Sequence, residues 1–139
     1  MAEDSTKYQG RCLCGSVQFT VEQALKQIQL CHCKQCQRSS GTAFASNIPI
    51  AKSNFHIQSG ADLIASYEST PGKLRKFCSR CGSPVYSERT STPDEIRIRA
   101  GTLDGDLDAR PVFHFYVEDM PNWCSINDDL PQYPQARPN

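Results

Sequence analysis

The chain has 139 residues, with 38% hydrophobic and 22% charged, which fits one domain and excludes both a collagen-like chain and wholesale disorder. Fifteen Lys and Arg balance fifteen Asp and Glu, so the basic field of a general nucleic-acid binder is missing. No apolar run approaches the ~20 residues of a membrane helix, and the polar stretch Met1–Gly10 lacks the apolar core of a secretory leader, so a cytoplasmic protein with no membrane partner is expected.

Residues 1–9 read as a flexible start. Val17, Phe19 and Val21 alternate with Gln18, Thr20 and Glu22, the period of a half-buried strand. Ile28 and Leu30 alternate in the same way on the approach to Cys31. A single helical turn is expected around Lys34 to Ser39, and another near Asp62 to Ala65. Phe55 and Ile57 alternate before Ser59-Gly60, and Ile96 and Ile98 alternate before Gly101. Val112 to Val117 is more continuously apolar, as in a strand buried on both faces. Pro71-Gly72, Gly82-Ser83-Pro84, Ser91-Thr92-Pro93 and Asp104-Gly105 punctuate these runs. The chain is therefore expected to be mainly β, a sandwich or closed barrel, in one domain over 10–129. Residues 130–139, with Pro131, Pro134 and Pro138, form a tail that is extended or mobile.

The composition is most unusual in its eight cysteines. In a reducing compartment such a number points to metal rather than to disulfides. Seven fall in three groups: Cys12 and Cys14; Cys31, Cys33 and Cys36; Cys78 and Cys81. In a strand, residues i and i+2 share a face, which lets each C-x-C pair converge and aims His32 away from its neighbours' sulfurs. Cys78-Ser79-Arg80-Cys81-Gly82 can close a tight turn on one metal. The two pairs make a closed set of four sulfurs at one zinc. The triplet makes a set of three at a second, with a position left open. Closed sites are structural, and three ligands with an open position suit reactivity. Two structural zincs, the second completed by another ligand such as Cys124, and a redox dithiol at Cys78 and Cys81, are the alternatives.

Gly10-Arg11-Cys12-Leu13-Cys14-Gly15, Cys31-His32-Cys33-Lys34-Gln35-Cys36-Gln37-Arg38, Phe77-Cys78-Ser79-Arg80-Cys81-Gly82, Ala100-Gly101-Thr102-Leu103-Asp104, and Pro111 through His114 to Trp123 occur in this order. Together they resemble the glutathione-dependent formaldehyde-activating enzyme family, also called the centromere-protein-V/GFA domain, over roughly residues 8–125. The resemblance implies a β-tent of small twisted antiparallel sheets around a structural zinc on Cys12, Cys14, Cys78 and Cys81. It implies a catalytic zinc on Cys31, Cys33 and Cys36. It also implies a carbon–sulfur lyase of the S-(hydroxymethyl)glutathione synthase type, acting on a thiol such as glutathione and an aldehyde. Competing readings are a zinc module that binds a protein partner and a thiol or metal sensor.

A three-thiolate zinc suits a substrate sulfur, which it would hold deprotonated. The adduct oxygen then needs a proton carrier. Asp104 and His114 are the candidates, against a turn role for Asp104 and a core role for His114; His56 has less to recommend it. Lys34 and Arg38 flank the triplet and could receive the carboxylates of glutathione, or could be solvated surface charges. Trp123 reads as core or pocket wall, and Cys124 as a small buried hydrophobe.

Overall fold

The computed structural model describes residues 7–136. Its elements run β1 (Tyr8–Arg11), β2 (Gln18–Val21), β3 (Gln27–Cys31), α1 (Lys34–Ser40), β4 (Ala45–Ala51), β5 (Phe55–Ser59), β6 (Ile64–Thr70), β7 (Lys73–Cys78), β8 (Pro84–Arg89), β9 (Glu95–Arg99) and β10 (Arg110–Phe115), with short 3-10 turns between some of them. β1, β2 and β5 form a three-stranded sheet, and the other strands form a seven-stranded sheet in the order β10-β3-β4-β9-β8-β7-β6. The protein is mainly β, as expected. All pairings are antiparallel except that of β10 with β3, a parallel pairing made possible by the long stretch of chain between them.

The two sheets meet over one apolar core. Phe19 and Val21 come from the small sheet; Ile48, Ile50, Ile96 and Ile98 come from the large one. Phe55 bridges them, its ring 5.1 Å from that of Phe19 and 5.0 Å from that of Tyr86. Side chains alternate across a strand, so the large sheet's other face carries a different set. Arg75, Ser87, Arg97 and Pro49 lie in one row across β7, β8, β9 and β4, with Lys73 opposite Arg89 in the next. One face makes the core, and the other is cationic and carries α1.

The large sheet is open, which corrects the closed-barrel alternative. β10 takes the tail on its outer side instead of pairing with β6. His114 N–H donates to the Pro131 carbonyl, Tyr133 N–H to the His114 carbonyl and Tyr116 N–H to the Gln135 carbonyl. Pro131 and Pro134 act here only as acceptors, which suits residues without an N–H. Pro131 to Gln135 thus lie along β10, bonded to it and to Tyr116 just beyond it, and 137–139 lie outside the described residues. At the other end β1 begins at Tyr8, and residues 1–6 of the expected flexible start over 1–9 lie outside the described residues. No described helix is long and apolar enough to cross a membrane.

Candidate metal centres and the adjoining cleft

Cys12 and Cys14 are brought together by a turn that follows β1, not by a strand as expected. Gly15 N–H donates to the Cys12 carbonyl, and Gly15 takes φ +79°. Cys78 ends β7, and Gly82, at φ +81°, closes the second turn with its N–H on the Cys78 carbonyl. The four sulfurs converge: Cys12 Sγ lies 3.6 Å from Cys14 Sγ, which lies 3.9 Å from Cys78 Sγ. A tetrahedral metal with sulfurs at about 2.3 Å sets them about 3.8 Å apart, so this donor set fits zinc. Burial pushes the Cys78 thiol up to about 11, while the Ser83 hydroxyl leads the groups that bring Cys81 down to about 5. Gly60 locks the first turn from behind. At φ +78° it sits so close to Ser16 and Val17 that a Cβ would strike their backbone.

The triplet forms where β3 hands over to α1. Cys31 is the last residue of β3. Cys33 caps α1, its sulfur accepting from the Cys36 N–H at 3.3 Å. Cys36 is buried within the helix. The three sulfurs lie within 4.8 Å of one another, and no fourth Cys, His or carboxylate among the described residues joins them. The thiols of Cys31 and Cys33 stabilise a Cys36 thiolate, with Arg75 and Lys73 adding to the effect. Cys31 is pushed up by the same contacts with Cys33 and Cys36 and by burial. Arg75 clamps the helix: its guanidinium reaches Ser69, Ser39 and Gln35, and lies 3.9 Å from Cys36 Sγ. All eight cysteines are free thiols.

Cys31 borders two cavities. One, of about 370 Å³, is walled by Cys33, Lys34, Gln35, Thr70, Arg75 and Asp119. The other, of about 840 Å³, is walled by Gln29, Asn47, Arg97, Phe113, Phe115 and Ala136. Lys73, Arg89 and Tyr116 border both. Tyr116 has φ +57°, the one non-glycine residue in left-handed territory among the described residues. Such a conformation persists only where its surroundings impose it, and here the tail does so through the bond to Gln135.

The structure separates several residues that sequence had grouped around the reaction. Asp104 faces Arg11 at 3.8 Å, both exposed, and its N–H donates to the Gln9 carbonyl of β1; it borders neither cavity of the triplet. His114 is buried, with Nδ1 2.9 Å from His32 Nε2 and Nε2 3.1 Å from Asp128 Oδ2. His32 is buried beside Phe44, and its ring nitrogens are not among the groups that converge at the triplet. Lys34 borders the smaller cavity; Arg38 borders neither. His56 is on the small sheet, near Glu22. Trp123, expected as core or pocket wall, is exposed in a loop and borders neither cavity of the triplet. Cys124 is half-buried, its sulfur facing the Ser125 carbonyl at 3.9 Å, so it does not close the triplet.

The residues that sequence reasoning missed are Lys73, Arg75, Arg89, Arg97 and Tyr116. A signal existed: Lys73 and Arg75 alternate with Leu74 and Lys76. Without knowing the cross-strand register, that pattern is indistinguishable from a solvated face.

The family profile described as glutathione-dependent formaldehyde-activating enzyme matches residues 7–119. A protein of Halomonas elongata, whose name provisionally describes it as such an enzyme, is 28% identical over 127 residues, covering 85% of this chain and 80% of that one. A crystal structure of a Rhodobacter sphaeroides protein superimposes with a TM-score of 0.61 at 26% identity, over 70% of this chain and 89% of the other.

Proposed function

The chain belongs to the glutathione-dependent formaldehyde-activating enzyme family, and from that premise we propose that it is a carbon–sulfur lyase that joins a thiol such as glutathione to an aldehyde, or reverses that addition. One observation carries the reading: three sulfurs converge without a fourth protein ligand, at the wall of a cleft. Cys31, Cys33 and Cys36 would hold a zinc ion whose chemistry there is that of a soft Lewis acid able to take a substrate sulfur as thiolate. Cys12, Cys14, Cys78 and Cys81 would hold a second, structural one.

The rest falls to the chain itself. Arg75 fixes α1 so that Cys33 and Cys36 keep their places relative to Cys31. Phe113 and Phe115 give the larger cavity an apolar wall, which strengthens every charge interaction inside it. Addition of a sulfur to an aldehyde carbon forms the C–S bond and moves the carbonyl π pair onto oxygen, which must take a proton. Neither Asp104 nor His114 borders the cleft, so that proton falls to Tyr116, which borders both cavities, with Asp119 beside the smaller.

The test is exchange spectroscopy by NMR on the zinc-loaded protein with glutathione and formaldehyde. Faster exchange between free formaldehyde and its glutathione adduct is the expected result. Unchanged exchange with glutathione and with other thiols would sink the reading.

A further inference from the structure

Lys73 on β7 lies directly opposite Arg89 on β8. Like charges facing each other across a strand pair destabilise a sheet. Three other cations of the chain do have an acid at hand: Asp104 for Arg11, Glu88 for Lys52 and Glu95 for Arg97. No carboxylate among the described residues comes within 4.0 Å of Lys73 or Arg89, although Asp119 shares the smaller cavity's wall with them. The groups around Lys73 make matters worse. Burial, Arg75 and Arg89 together push its ammonium down to about 8, with Cys36 and Cys31 pulling the other way. A sheet that keeps two facing cations without a counter-charge, in the wall of a cavity, is arranged to receive an anion.

Position identifies which anion. Lys34 and Arg75 border only the smaller cavity, and Arg97 only the larger. Lys73 and Arg89 border both, as Cys31 does. We propose that Lys73 and Arg89 form a carboxylate clamp that selects, at the three-sulfur site, a thiol carrying an ionised carboxylate. The proposal rests on the reading of that site as a thiol site. The Arg89 guanidinium can grip a carboxylate through two parallel N–H donors, and Lys73 adds a point charge. The clamp takes the role that sequence gave to Lys34 and Arg38. It excludes neutral thiols by leaving the cations facing each other unneutralised.

The experiment is calorimetric titration of the zinc-loaded protein with 3-mercaptopropionate, with its methyl ester, and with succinate, which has no sulfur. Wild type should bind the acid at least about tenfold more tightly than the ester, as expected for charge-assisted contacts. In a Lys73→Gln/Arg89→Gln variant of unchanged metal content the two should agree within about twofold, and Arg89→Lys in a wild-type background should keep only part of the preference, because an ammonium cannot grip both carboxylate oxygens as the guanidinium does. The double variant should also melt at a higher temperature, because the repulsion is gone. Equal binding of acid and ester by wild type overturns the clamp, and so does a double variant that keeps the preference. A lower melting temperature with the preference intact marks the pair as structural and overturns it too. If neither thiol binds wild type, the thiol reading has failed, and succinate judges the clamp. Binding to wild type but not to the double variant supports it, and any other pattern overturns it.

Discussion

His114 Nδ1 lies 2.9 Å from His32 Nε2, while its other nitrogen faces Asp128. An ionised carboxylate only accepts, so His114 donates to Asp128 through Nε2. Both ring nitrogens are thereby spent on structure. The chain of three side chains ties Asp128, which also holds the Leu130 N–H, to the residue between Cys31 and Cys33, so His114 braces the triplet from behind instead of touching a substrate.

This brace carries a pH dependence. The Leu130 N–H, and then His114, hold the Asp128 carboxyl below its ordinary range. A depressed acid contributes stability that is whole above about pH 4, the unfolded value, and is lost as pH falls through the lower folded one. The protection of the Tyr133 N–H, which bonds to the His114 carbonyl, measured as exchange relative to the free-peptide rate at each pH, should fall across that window. Asp128→Asn should exchange faster than wild type at neutral pH and match it in acid. Equal rates at pH 7 would remove Asp128 from the brace.

Cys81→Ser should abolish a cooperative thermal transition. The four sulfurs join two turns far apart in sequence, and a structural zinc contributes an amount comparable to the whole stability of a small domain. Circular dichroism melting checks this; a wild-type melt would refute the four-sulfur assignment.

Cys33→Ser should leave the fold in place and cost one bound metal. Cys33 is the N-cap of α1, and serine is a strong N-cap, so the helix should survive the exchange. Native mass spectrometry counts the metal. Retention of both ions, or collapse of the protein, would contradict the division into two kinds of site.

Tyr116→Phe should lower the adduct-exchange rate by about 100-fold or more, the scale of a lost acid–base group, while thiol affinity stays within about twofold. Rate and binding measured on the same preparation separate the two. A parallel loss of affinity would make Tyr116 a wall and not a proton carrier.

Gly60→Ala should destabilise by about 2–4 kcal/mol, from a positive φ and a backbone collision together. Denaturant melts provide the number, and a change below 0.5 kcal/mol, roughly that of an ordinary surface substitution, would mean that the Ser16 turn can move aside.

Strands β2, β3, β5 and β9 were legible because apolar and polar residues alternate along each, and β10 because it carries a continuous apolar run. β7 was not, because its ligand-side Lys73 and Arg75 read as solvated residues. β4 was hidden by Pro49, which a central strand seldom tolerates. β3 pairs only with Ala45 to Asn47, so at Pro49 the sole partner is β9. Spacing made the three tight cysteine groups legible, because it sets which sulfurs can share a turn, and the resemblance joined Cys12 and Cys14 to Cys78 and Cys81 across the chain. The surroundings of the triplet did not. Asp104 stands in a recognisable motif but sits on the other sheet with Arg11, whereas Arg89 belongs to no motif and reaches the cleft only through cross-strand register.

The parallel pairing of β10 with β3 also sets an order of assembly. Synthesis delivers β3 and α1 early, and with them all three sulfurs of the triplet. β4 follows at once to cover one edge of β3. The other edge waits for Arg110–Phe115, and the tail that covers β10 in turn comes only with Pro131 to Gln135. Closing so long a loop makes this the slow, non-local step of folding. On the ribosome, the triplet therefore stands exposed beside an unpaired strand until the last segment emerges. That interval leaves the sulfurs open to metal, and to oxidation, before the larger cavity's outer wall exists.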